Sequence, residues 1–187
     1  MTDFSISGRA AIVGLGATEF SKNSGRTEVR LAMEATLQAL ADAGIDPSEI
    51  GVMISTSVCK DHLEPSVACA VHHRLGLPTS CLNFDIGNAC LGFMNAMHVA
   101  ATMIDAGTVD YALIVDGEGS RYTQETTLAR LRRPETTAGE VFAEFASLTL
   151  GSGAAAMVMV WDADSAMEVF YPFLRLEGCA TKIGRAH

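Results

Sequence analysis

Cys90 stands where an apolar run, residues 81–86, passes through Gly87-Asn88-Ala89 into a long apolar segment of helical pattern. A thiol at the first turn of a helix lies at the positive end of its dipole, which favours thiolate, the form that attacks acyl carbonyls. The effect is bounded. A helix terminus supplies roughly 0.3–1 kcal/mol, up to about 2 in favourable sites, against about 1.4 kcal/mol per pKa unit, so the gain is about one unit. Starting from ~8.5, much of the thiol stays protonated at neutral pH, and an efficient nucleophile would still need a base or a cation beside it. The small residues before Cys90 and Gly92 after it would allow a substrate carbonyl close approach. The competing reading is an inert interior cysteine, since free cysteine is among the most buried residue types.

Other chemically capable residues form weaker patterns. Gly14-Leu15-Gly16 follows a strand as in a dinucleotide-binding turn, but Glu19 stands where the third glycine belongs, so these glycines are read as serving the turn. His72 and His73 are adjacent on a helix and point apart, and with His62 and Cys69 they have no metal-ligand spacing. No metal site is expected. His98 reads as a hydrogen-bonded core histidine, and Met94, Met97 and Met103 as core filling that would also suit an acyl tunnel. Arg130, Arg132 and Arg133 read as an exposed charged face.

The elements that position these residues follow from spacing. Residues 10–16, 51–55, 81–86, 111–115 and 153–161 are short apolar runs bounded by turn residues, as in strands buried on both faces. Val29, Ala32, Met33, Leu37 and Leu40 recur at helical spacing before Gly44, a left-handed terminator. Pro65 suits a first helical position, and Val67, Ala70, Val71 and Leu75 follow before Gly76. The segment from Cys90 to Ala106 is apolar nearly all round, which predicts a helix covered on most sides, closed by Gly107. Residues 117–139 read as a polar excursion with helical turns near 126–131, and 142–148 as a further helix. The order β-α-β-α-β-α-β-(α)-β is an α/β pattern.

Composition narrows the function further. With 187 residues and 49% apolar content, a single domain with a substantial core is expected. The formal charge of −9 disfavours nucleic acid and anionic membrane surfaces as partners. Mean hydropathy is +0.24, but the longest weakly charged stretch, 89–104, is too short for a membrane span. No secretory signal is visible, so a cytoplasmic location is expected. Five cysteines without a Cys-x-x-Cys pair argue against a disulfide framework and a zinc ribbon.

Residues 83–93, Asn-Phe-Asp-Ile-Gly-Asn-Ala-Cys-Leu-Gly-Phe, resemble the nucleophile segment of thiolase-superfamily condensing enzymes of the ketoacyl synthase III branch. Residues 56–66 and 111–118 are similar to the OleA-type enzymes, which join two fatty acyl-CoA molecules head to head, and 148–157 to the glycine loop and strand ending the family's first half. The stretch 11–20 looks closer to thiolase-like lipid-transfer enzymes. The resemblance implies a thiolase-like layered fold, one half only: a five-stranded, mostly parallel sheet with helices on both faces. It divides the chain into an amino-terminal half-domain, 1–161, and an irregular tail, 162–187, that looks truncated or misassembled.

The resemblance also implies an acyltransferase. Cys90 would take an acyl group as a thioester, and Glu64 would act as base on the second acyl chain, entering across a homodimer interface. Without the resemblance, Glu64 before Pro65 reads as a carboxylate favouring a helix start. An apolar pocket, hinted at by Leu63 and Pro65, would have to raise its pKa. Acyl-CoA or acyl carrier protein thioesters would be the substrates, with no other cofactor and no metal, and a coenzyme A phosphate contact is a lesser role for the arginines. The family's histidine and asparagine belong to a second half that this sequence does not contain. The alternatives are a thiolase-like enzyme of lipid transfer or degradation, and a noncatalytic fragment or interaction subunit.

Overall fold

The computed structural model describes residues 10–161. The tail 162–187, with Cys179 and His187, lies outside the described residues, as do residues 1–9.

Five strands form one sheet in the order β1-β5-β4-β2-β3: β1 (Ala10–Ala17), β2 (Val52–Ser55), β3 (Leu82–Asp85), β4 (Tyr111–Glu118) and β5 (Gly153–Trp161). β2 pairs in parallel with β3 and β4, whereas β5 runs antiparallel to both β1 and β4. Four strands therefore share a direction and β5 alone is reversed. The sheet is mixed. The cause is the excursion after β4: α4 (Arg121–Leu131), α5 (Ala138–Ala143) and α6 (Phe145–Thr149) stay at the sheet edge and pack on one another, so the chain re-enters from the edge it left. The helix expected over 142–148 is two short helices that meet at Glu144.

Period-two alternation sends neighbouring residues to opposite faces, and each face has its own core. Met53, Leu113, Val115 and Val158 face α1 (Glu28–Ala43) and α2 (Val67–Leu75), while Val52, Ile54, Ile114 and Met159 face α3 (Gly92–Asp105). Each fully buried large side chain contributes about 1.5–3 kcal/mol.

On α1 the buried stripe is Leu31, Ala32, Ala35 and Ala39, and Leu37, expected inside, is 52% exposed. Small residues win that face because α1 lies directly on β1. A Cβ on Gly14 would stand 2.2 Å from the Ala39 carbonyl oxygen. The Gly-Leu-Gly run thus serves helix–sheet contact and not, as expected, only a turn. Side chains of the same helix cap the outer margin of β1: Leu15 donates its N–H to Asp42 (2.9 Å) and Ala17 to Gln38 (3.3 Å). At the opposite margin β3 is unpaired among the described residues. Leu82, and Ile86 just past the strand's end, donate inward to Gly51 and Ser55, which by alternation turns the Asn83 and Asp85 amides outward.

α3 departs from expectation in its cover. Ala96, Ala100, Ala101 and Ile104 are buried against the sheet, but Met94 and Thr102 on its outer side are exposed. Among the described residues only one side of this apolar helix is covered.

Candidate active site

The parallel strands β2, β3 and β4 end at one edge of the sheet, and the residues of interest leave from there. After β3, Ala89–Leu91 form a single 3₁₀ turn leading directly into α3. Ala89 has φ of 44°, a left-handed conformation that costs a non-glycine residue about 1–2 kcal/mol. It gives the chain a sharp corner, and Cys90 stands on it. Asn88 donates its side-chain amide to Asn95 Oδ1 at 2.6 Å, fixing the corner to the next turns of α3. Gly92 is buried, and a Cβ there would lie 3.2 Å from the Ile86 carbonyl and 3.3 Å from Thr56. It seats the helix start closely on the strand ends.

Burial separates the cysteines. Cys90 and Cys69 are exposed and Cys59 and Cys81 buried, and all four thiols are free. Removal from water pushes both buried thiols up to about 11, and the Glu118 charge adds to the shift at Cys59. Those two are passive at neutral pH. The inert interior reading of Cys90 does not hold in this chain.

Glu64 lies on the loop between β2 and α2, so its loop and the Cys90 corner spring from adjacent parallel strands. Glu64 is exposed, Leu63 is 85% exposed and Pro65 is exposed, so these neighbours build no apolar pocket around the carboxylate. Pro65 also misses the expected helical position. Ser66 is the cap, accepting from Cys69 N–H at 3.1 Å, and the helix starts at Val67.

Several polar residues that the sequence reading passed over hold this edge together. The Glu118 carboxylate accepts the N–H groups of Val58 (2.8 Å) and Cys59 (2.7 Å), pinning the start of the Glu64 loop to β4. Asp85 accepts from Lys60 Nζ (2.6 Å) and from the Val67 and Ala68 amides (3.2 and 2.9 Å). Glu28 is fully buried at the start of α1; neither carboxyl oxygen has a hydrogen-bond partner, and its N–H donates to Asp61. Burial, with Asp61 and Glu118 nearby, raises Glu28 to about 7. Burial and then Glu118 raise Asp116 to about 6. The signal for Glu28 was its place one helical turn before Ala32 on the buried stripe.

His72 Nε2 lies 3.1 Å from the Pro78 carbonyl, His98 is half-buried on α3, and Arg130 pairs with Glu144. Among the described residues no three His, Cys, Asp or Glu side chains are grouped to hold a metal. No helix there is long and apolar enough to cross a membrane.

A mixed sheet between helical layers, with an exposed thiol on a strained corner at a helix start, defines a thiolase-like α/β unit. The chain belongs to the thiolase family: residues 10–163 match the thiolase N-terminal domain. It is 50% identical over 128 residues to an acyl-CoA:acyl-CoA alkyltransferase of Xanthomonas campestris, covering 68% of this chain and 38% of that protein. It is 41% identical over 124 residues to a 17-hydroxy-3-oxo-4-pregnene-20-carboxyl-CoA lyase of Mycobacterium tuberculosis, covering 65% and 31%. A crystal structure of a Xanthomonas campestris OleA variant with bound lauric acid and lauroyl-CoA superposes with a TM-score of 0.74 at 35% identity, over 82% of this chain and 56% of that one. The chain thus spans less than two fifths of the two curated relatives and little over half of the solved one.

Proposed function

We propose that the complete protein is a condensing acyltransferase of the OleA type, in which Cys90 is the nucleophile and Glu64 the base. The observation that carries this reading is the exposure of Cys90 on the corner before α3, beside the loop that bears Glu64. In the first step the Cys90 thiolate attacks the carbonyl of an acyl-CoA, a tetrahedral adduct collapses, and coenzyme A leaves as the thiol with the proton lost by Cys90. In the second, the Glu64 carboxylate takes a proton from the α-carbon of another acyl-CoA. The carbanion attacks the Cys90 thioester, expelling the thiolate and leaving a β-keto acyl-CoA. Fatty acyl-CoA is the favoured substrate class, because the solved relative holds lauroyl-CoA. No metal or redox cofactor enters this chemistry.

The protein acts as a homodimer in which Glu64 serves the partner's thiol. The open margin of β3 supports this, since a second copy pairing there would lie beside the edge that carries both residues. A cytoplasmic setting fits four free thiols.

The test is covalent trapping. Incubating the complete Glu64→Gln variant, which should acylate without condensing, with lauroyl-CoA and quenching should give one acyl adduct on Cys90 with equimolar free coenzyme A, and none when Cys90→Ser is added. An adduct elsewhere, or none, defeats the reading. The kinship with the carboxyl-CoA lyase supports a second reading, carbon–carbon cleavage in lipid degradation. Under it the protein would split a β-hydroxy or β-keto acyl-CoA and form no condensed product.

A further inference from the structure

His62, Leu63, Glu64 and Pro65 make an exposed segment between two anchored stems. On the entry side, Lys60 Nζ lies 2.6 Å from Asp85 Oδ2. On the exit side, the Val67 N–H donates to that oxygen at 3.2 Å and the Ala68 N–H to Oδ1 at 2.9 Å. One carboxylate therefore grips both stems. It sits at the last position of β3, on the strand that runs on to Cys90. The Lys60 and Asp85 side chains are only 22% and 14% exposed, so their pairing is screened far less than a surface ion pair. Further ties, Glu118 to the Val58 and Cys59 amides, the Gly119 N–H to the Cys59 carbonyl and Asp61 to the Glu28 amide, hold the entry side.

We infer that Asp85 and Lys60 are positioning residues for condensation, holding in place the loop from which Glu64 is presented to the partner's thiol while taking no part in acylation of Cys90. The inference rests on the proposed roles of Glu64 and Cys90. Displacing a catalytic group by about 1 Å can cost on the order of a hundredfold in rate. Losing one stem should slow the step that uses Glu64 and spare the step that does not.

The experiment uses the complete protein with lauroyl-CoA and the variants Lys60→Met, Lys60→Arg, Asp85→Asn and Glu64→Gln. Three quantities are read: the rate of Cys90 acylation, the rate of β-keto product formation, and amide hydrogen exchange over residues 62–66. Lys60→Met and Asp85→Asn should leave acylation within about twofold, slow condensation about tenfold or more, and speed exchange in the segment. Lys60→Arg should recover most of the loss. Lys60→Met removes no helix-capping group, so it stays informative if Asp85→Asn fails to fold. Unchanged exchange, or acylation and condensation falling in step, overturns the inference. If exchange rises while condensation holds and Glu64→Gln abolishes condensation, positioning is refuted and the Glu64 role stands. If Glu64→Gln also leaves condensation intact, the Glu64 role has failed and the inference falls with it.

Discussion

A Cβ built on Gly16 would lie 2.1 Å from the carbonyl oxygen of Ala35, so α1 rests on the backbone of β1 with no side chain between them. Backbone cannot step aside as a flexible side chain can. Gly16→Ala should destabilise the complete protein by about 3 kcal/mol, the upper range for overpacking, because α1 must lift from the sheet. Chemical denaturation checks this, and a loss under about 0.5 kcal/mol, the range of an unconstrained surface substitution, would contradict the close approach.

The thiols should separate by reactivity. With small alkylating reagents at neutral pH, Cys90 and Cys69 should be modified about a hundredfold faster than Cys59 and Cys81, which must await unfolding. Peptide mapping over a time course reads this directly. Protection of Cys90 to the level of Cys81 would remove the basis for a nucleophile there.

Glu28 should make stability depend on pH in a definite direction. Its carboxyl titrates near 4.5 when exposed and near 7 when folded. Below pH 4.5 both states hold the proton, and between the two values only the folded state does. Stability contributed by this group therefore declines as pH rises from 4.5 through 7, by up to about 3 kcal/mol. Asp116, raised to about 6, acts in the same sense. Glu28→Gln should flatten this decline and exceed the parent in stability at pH 8 by about 2 kcal/mol. Urea midpoints at pH 5 through 8 test it, and parallel curves for the two proteins would show that Glu28 is not the titrating group.

The open β3 margin gives a prediction about assembly. Asn83→Pro removes an outward N–H while leaving the ladder to β2 intact. If two copies pair along β3, this change should weaken the dimer by about tenfold or more in sedimentation, which is about 1.4 kcal/mol. An unaltered dimer would place the interface elsewhere.

The strands and the Cys90 corner were legible because short apolar runs closed by glycine or small residues carry a local signal. The direction of β5 was not. Its alternation reads identically either way, and helices between β4 and β5 suggest a crossover when they in fact remain at one edge. The burial of Ala35 and Ala39 in preference to Leu37 depended on Gly14 and Gly16, residues in another element. The carboxylates at the site were hidden for the same reason. Glu118 finds its partners 60 and 59 residues away, and Asp85 finds Lys60 25 away, so no local pattern marks them. Glu64 was legible only through resemblance.

The caps that Asp42 and Gln38 place on Leu15 and Ala17 have a bearing on stoichiometry. Among the described residues the outward amides of β3 stand open while two of those on β1 are already taken, so strand addition is directed to one flank. Joining two copies through that flank would bury the open border of both, which favours a pair over a growing filament.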